Sequence, residues 1–149
     1  MNTRFREFQP ADTSELTEMV LALYAEDIYG EPMNPSKILQ TIDFMAANPN
    51  SGRIIVFEAD QLVVGYSILV SFWSNEFGGL LLYVDELFVK KAFRNQKIGA
   101  RFFDYLASAK HIVHKGVFLE VSTENVKAAK FYLDNGFEKH GTEVMTFIY

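Results

Sequence analysis

Cysteine is absent from the 149-residue chain. That excludes a disulfide framework and any thiolate chemistry. Long apolar runs are missing too. The longest, Leu62 to Trp73, is interrupted by Gly65, Ser67 and Ser71 and falls short of the roughly 20 residues that span a bilayer. Met1 to Phe8 alternates charged and aromatic residues and lacks the apolar core of a signal peptide. A cytoplasmic protein without a membrane partner is expected. Nor is there an excess of positive charge: Lys and Arg total 14 against 19 Asp and Glu, a net charge of -5. Non-specific nucleic-acid binding depends on neutralising phosphates, so no nucleic-acid partner is expected. A mildly acidic domain suits a small cationic substrate instead.

What is present reads as one globular domain, residues 1–149. Hydrophobic residues make up 49% and charged residues 22%, ordinary values. A chain of this length buries about two thirds of its unfolded surface. No repeat or low-complexity stretch interrupts it.

Thr3 to Phe8 reads as a short strand, stopped by Pro10. Asp12-x-x-Glu15 has the spacing of a capping box. Leu16, Met19, Val20 and Leu23 then follow helical spacing, predicting a helix from Thr13 to about Ile28. Asn34-Pro35 is an N-cap with proline at the first helical position. The stripe Ile38, Leu39, Ile42, Met45 and Ala46 gives a second helix. Arg53 to Ala59, Leu62 to Trp73 and Leu80 to Val89 read as an antiparallel meander, with turns at Asp60-Gln61 and Asn75 to Gly79. Gly65 marks a possible bulge.

Ile98, Phe102, Phe103 and Leu106 predict a helix from Ile98 to about Lys110. His111 and His114 near its end have no third ligand, so no metal site is expected; histidine at a helix C-terminus is electrostatically favourable. Val117 to Val121 reads as a strand joined to Leu80–Val89 by a right-handed parallel crossover. Asn125 caps a further helix carrying Ala128, Phe131 and Tyr132, stopped at Asn135-Gly136. A last strand is expected from Thr142 to Tyr149. Together these elements predict an α/β fold: a mixed, mainly antiparallel sheet with helices on both faces and a splayed pair of parallel central strands.

The strand-loop-helix junction from Tyr83 to Arg101 carries the functional signal. Helix N-termini leave N–H groups unpartnered and carry partial positive charge. Phosphate is a natural occupant there, and Arg94 and Lys97 add full charges. The alternative is an ordinary turn with solvated basic residues.

Arg94-x-x-Lys97-x-Gly99-Ala100 resembles the coenzyme A loop of the GNAT superfamily of N-acetyltransferases, Gln/Arg-x-x-Gly-x-Gly/Ala. Asn125-x-x-Ala128-x-x-Phe131-Tyr132, followed by Gly136-Phe137, resembles a second stretch of the same family, in its order and separation. The resemblance implies acetyl-coenzyme A as cosubstrate. Its pyrophosphate is expected on the backbone amides of Asn95, Gln96, Lys97, Ile98, Gly99 and Ala100, with Arg94 alongside. Its pantetheine arm is expected against Leu87, Phe88 and Val89, and Asn125 serves as helix cap and cofactor contact. Lys97 departs from the motif at its first glycine. If that position requires positive φ, lysine costs roughly 1–2 kcal/mol; if not, it adds a phosphate contact.

Acetyl transfer to an amine needs a neutral nitrogen, whereas aliphatic amines are protonated at pH 7. A base must take that proton. Tyr83 to Val89 is similar, less closely, to the matching stretch of spermidine/spermine acetyltransferases, which carry an acid pair there. Here the pair is Asp85-Glu86. Alternation along a strand points adjacent residues to opposite faces, so at most one of them lines the acceptor pocket directly. The resemblance assigns Asp85 to amine binding and to proton removal through water, with Glu86 the alternative base. It makes Tyr132 the general acid for the departing thiolate; the plainer reading is a core tyrosine. Tyr24 and Asp27, with Glu26, Tyr29 and Glu31 nearby, lie where the family's first helix and following loop line the acceptor site. A small cationic amine or polyamine is the expected acceptor, and a homodimer is expected by family habit. The alternatives are a protein lysine or N-terminal acetyltransferase and a non-enzymatic acetyl-coenzyme A-binding regulatory module.

Overall fold

Apolar alternation builds the sheet and helical stripes cover it. In the computed structural model, which describes residues 1–26, 31–142 and 144–148, five strands lie in the order β1 (Thr3–Glu7), β2 (Gly52–Ala59), β3 (Leu62–Ser74), β4 (Gly79–Val89) and β5 (Gly116–Leu119). The first four pair antiparallel, and β4 pairs parallel with β5. The helices are α1 (Thr13–Glu26), α2 (Pro35–Ala47), α3 (Ile98–Ser108) and α4 (Val126–Asp134).

Each face of the sheet has its own core. On one, Phe57, Leu69, Leu82 and Val84 pack against Ile98, Phe102 and Leu106 of α3. On the other, Tyr66, Ile68 and Phe88 pack against Leu16, Met19 and Val20 of α1 and Ile38 of α2. Phe5 joins the α3 side, its ring edge-on to Phe57 at 5.1 Å.

Local signals behave largely as expected. The Asn34 side chain accepts from Lys37 N, and the Asn125 side chain accepts from Ala128 N. α3 stops at Ser108, two residues early, and His114 Nε2 lies 3.0 Å from the carbonyl of Leu106, consistent with favourable placement at the helix end. Gly65 lies beside an irregularity: Phe57 pairs with it and Glu58 with Val63, leaving Val64 as the extra residue. A side chain at Gly65 would meet the Phe88 carbonyl at 2.4 Å, so the close approach of β4 demands glycine.

Two expectations fail. Asp12 and Glu15 form no capping box. Arg6 takes both Asp12 oxygens, at 2.7 and 2.8 Å, and Glu15 pairs with Lys90 at 2.6 Å. The Asp12 carboxylate also accepts from Gln9 N at 2.8 Å, so it closes a capping box with Gln9 one turn earlier rather than opening one with Glu15. The last strand does not form either. Described residues 142 and 144–148 lie in no strand, and Met145, Phe147 and Ile148 are exposed. At the other end of the sheet surface, the β3–β4 hairpin exposes Trp73 and Phe77.

Candidate active site at the end of β4

β4 changes phase at Asp85. Val84 pairs with Leu69 and Glu86 with Ile68, so Asp85 is one residue too many, a β-bulge. Upstream, Leu82 and Val84 face α3. A regular strand would send Glu86 and Phe88 to that same face. The extra residue sends them to the α1 and α2 face instead, while Leu87 and Val89 pack toward α3. Pairing with β5 also ends here, at Val84 and Leu119. From Asp85 to Val89 the strand has a neighbour on its β3 side alone. On the other edge Arg94 Nε takes the Val89 carbonyl, and no strand among the described residues pairs with the rest of the stretch, which leaves it to a ligand that can pair with it.

The two acids meet different surroundings. Glu86 is 9% exposed. It lines a small apolar pocket with Leu16, Val20, Ile38, Ile54 and Ile68. Its Oε2 accepts from the Tyr66 hydroxyl at 2.7 Å, and Tyr24 of α1 also hydrogen-bonds it. Burial raises the Glu86 carboxyl above its usual range, the two tyrosine hydroxyls pull it partly back, and the neighbouring Asp85 charge pushes it up again. Asp85 is exposed and enters no ion pair among the described residues. The protein around it nevertheless desolvates its carboxyl and raises it.

The loop before α3 is shaped by two left-handed residues. Asn95 has φ of 62° and Lys97 has φ of 61°. The first motif glycine is thus a position that requires positive φ, and lysine holds it under strain. Lys97 is also the N-cap of α3 and makes no side-chain cap bond. Helix geometry leaves the next N–H groups, Ile98 to Ala100, without intrahelical partners. Such amides with left-handed residues beside them form an anion-binding concavity, which fits a pyrophosphate. Removing the strain, Lys97→Gly should stabilise the fold by up to about 1 kcal/mol, offset in part by glycine's greater unfolded freedom. A thermal melt checks this. Isothermal calorimetry with acetyl-coenzyme A on the same variant then reports whether the lysine charge aids binding.

Arg94 faces inward rather than outward. Its Nε donates to the Val89 carbonyl at 2.7 Å, and Nη2 pairs with Glu26 at 2.9 Å. The guanidinium sits 5.4 Å from the centre of the Phe88 ring. Lys91 is a second partner of Glu26, at 3.7 Å, and Arg94 first, then Lys91, hold the Glu26 carboxyl below its usual range. Glu26 is thus neutralised rather than offered to an acceptor. Asp27 and Tyr29 lie outside the described residues. Gln96 turns back to the Ala92 carbonyl at 3.2 Å.

The second motif meets the first through packing. A Cβ on Gly99 would lie 2.8 Å from Phe131 Cζ, so the glycine lets α4 approach the first turn of α3. Tyr132 follows, its ring centre 6.1 Å from that of Phe103 and 5.5 Å from that of Phe137. Burial raises its hydroxyl, so it stays protonated at neutral pH. The Asn125 side-chain oxygen is used in capping α4. Sequence reasoning missed Tyr66. Its signal was weak: one tyrosine among the apolar residues of β3, facing an acid pair on the next strand.

A recess of about 610 Å³ lies at the C-terminal end of α3, with Leu106, Lys110, His114 and Lys115 in its lining. It contains neither the acid pair nor the loop. No group of three or more His, Asp or Glu among the described residues is placed to hold a metal ion. No helix among them is long and apolar enough to cross a membrane.

Comparison with known proteins agrees with this arrangement. A family model described as an acetyltransferase (GNAT) domain matches residues 50–139. No curated protein sequence matches the chain. Among solved structures, a possible acetyltransferase from Clostridium difficile 630 superposes with a TM-score of 0.84 at 18% identity, covering 100% of this chain and 99% of that one. Glucosamine-6-phosphate N-acetyltransferase from Arabidopsis thaliana gives 0.70 at 14%, with full coverage of both chains (100%). An aminoglycoside acetyltransferase from an uncultured soil metagenomic sample, in complex with sisomicin, gives 0.71 at 16%, covering 99% and 95%. The matched domain spans the meander, the left-handed loop before α3 and the Asn125–Phe137 stretch, and the chain belongs to the GNAT acetyltransferase family, whose members are acetyl-coenzyme A-dependent acyltransferases.

Proposed function

We propose that the chain N-acetylates a small primary amine that arrives as an ammonium ion. The observation that carries this reading is the acid pair at the point where β4 leaves β5, one carboxylate exposed and the other buried facing α1. Solved relatives include enzymes for an amino sugar phosphate and for aminoglycosides, both amine-bearing small molecules.

The residues divide the work. Asp85, exposed and without an ion pair among the described residues, draws the ammonium in. Glu86 takes the proton, directly or through one water. Its raised pKa suits a base working near neutral pH. The geometry favours Glu86 over Asp85 as base because it faces α1, which lines the acceptor side in the family. The amides of Ile98 to Ala100 hold the pyrophosphate, and the edge of Leu87 to Val89 that faces away from β3 pairs with the pantetheine arm. Acetyl-coenzyme A supplies the activated acyl group. Tyr132 keeps a proton at its hydroxyl for the departing sulfur. Arg94 ties the loop to the end of α1.

An amine panel with acetyl-coenzyme A, followed by thiol release, tests this. Diamines, amino sugars and a lysine peptide form its arms. Free cationic amines should be the best acceptors, and Asp85→Asn should raise their KM while leaving cofactor affinity unchanged. Cofactor at about 100 times its Kd should stabilise the fold by about 2.7 kcal/mol. Preference for the lysine peptide would move the assignment to protein acetylation. Absence of cofactor binding at millimolar concentration would overturn it.

A further inference from the structure

A single strand holds Glu86 at both ends. Ser67 Oγ donates to the Glu86 carbonyl at 2.8 Å, and the adjacent Tyr66 hydroxyl donates to its carboxylate at 2.7 Å. Both donors are fully buried, at 0% exposure. A carboxylate and a phenol sealed in an apolar layer are costly unless each satisfies the other. Phenylalanine at position 66 would fill nearly the same volume without a polar group. Tyr24 supplies a second hydroxyl from the opposite layer, α1. Two donors leave part of the carboxylate's four-site acceptor capacity free.

We propose that Tyr66, with Tyr24 as second donor, is a positioning residue for acetyl transfer, fixing the Glu86 carboxylate so that its free lone pairs meet the acceptor's proton. The inference rests on the reading of Glu86 as base. In the step, one proton leaves the ammonium nitrogen for a Glu86 oxygen and the nitrogen keeps the electron pair. Tyr66 keeps its own proton throughout; burial, the Glu86 charge and their hydrogen bond hold that hydroxyl far above its ordinary pKa. The titratable groups facing Glu86 among the described residues are Tyr66 on β3, Tyr24 on α1 and Asp85 on β4. From α2 the pocket receives Ile38, Thr41 and Ile42, which do not titrate.

The test uses the best amine of the panel and the full chain. Hydrogen bonds to the charged form lower the Glu86 pKa, so Tyr66→Phe removes a stabiliser of the carboxylate. The acid limb of kcat/KM should move to higher pH by about one pH unit or more. Cofactor Kd should not change. Tyr24→Phe, less buried and safer for folding, should move the limb the same way by a smaller amount. Glu86→Gln should abolish the limb. Ser67→Ala, which touches only the backbone end, should lower Tm and leave the limb in place. Superimposable pH profiles for the wild type, Tyr66→Phe and Tyr24→Phe overturn the proposal, whatever happens to Tm. A limb that survives Glu86→Gln overturns it as well, by returning the base to Asp85. A wild type that binds acetyl-coenzyme A yet acetylates no amine overturns the functional reading first, and this inference with it.

Discussion

Tyr132→Phe should leave a folded protein that transfers acetyl about 10²–10⁴-fold more slowly, the usual range for a general acid or base. The variant keeps the ring and its contacts with Phe103, Phe131 and Phe137. It loses only the hydroxyl, which bonds to no described residue in this structure, so little stability should go with it. Burial keeps the hydroxyl protonated through the neutral range, the state a donor to a departing thiolate needs. Single-turnover transfer paired with a thermal melt decides the matter. A slow, stable variant assigns the acid. A destabilised variant with a near-normal chemical rate returns Tyr132 to the core and leaves protonation of the sulfur to water.

Arg6→Met should destabilise the fold by about 3–5 kcal/mol, the cost of leaving a partly buried charge without its partner. Arg6 joins three elements. It lies on β1, binds both oxygens of Asp12 in the turn before α1, and meets Glu58 on β2 at 2.6 Å. The side chains of Arg6, Asp12 and Glu58 are only 17%, 8% and 20% exposed. Without the guanidinium, two carboxylates face each other in a poorly solvated niche. The pH dependence carries a sign. Arg6, with help from Gln9 N, depresses the folded Asp12 pKa. Its stabilisation is therefore complete above the unfolded value of about 3.9 and is lost as pH falls through the lower folded value. In Arg6→Met the larger part of that depression is gone, only the Gln9 N bond remaining, and protonation relieves the repulsion. The Tm gap between wild type and variant should be widest near neutrality and close below about pH 4. A gap that is constant from neutrality to acid would mean that Arg6 acts through packing of its stem rather than through charge.

Much of the fold was legible because its signals are local. Asn34-Pro35 and Asn125 announce helix starts through side-chain chemistry that needs no tertiary partner. The apolar stripe of α3 and the three strands of the meander follow periods that each core enforces separately. The loop before α3 was legible by resemblance, and the conditional attached to Lys97 is answered by its φ of 61°. What escaped depends on distant partners. Asp12 has the right spacing for a capping box with Glu15, yet Arg6 and Gln9 N take its carboxylate. Glu26 looks like part of an open acidic cluster, yet Arg94, 68 residues away, neutralises it. Alternation places Asp85 and Glu86 on opposite faces but cannot say which is inward, because the answer hangs on one unpaired residue that only the β3 register reveals. Tyr66 is invisible for the same reason: nothing in β3 alone says that its hydroxyl faces an acid.

The placement of Trp73 has a practical corollary for anyone handling the protein. It is the chain's only tryptophan and is 67% exposed, so its indole is largely hydrated while the core is intact. Emission excited at the red edge of the absorption band will already resemble that of a denatured chain, and it will scarcely shift on unfolding. The same probe is poised to brighten and blue-shift whenever another molecule covers the β3–β4 hairpin. Intrinsic fluorescence in this protein is a sensor of association at that tip, and melting is better followed through the peptide backbone by circular dichroism.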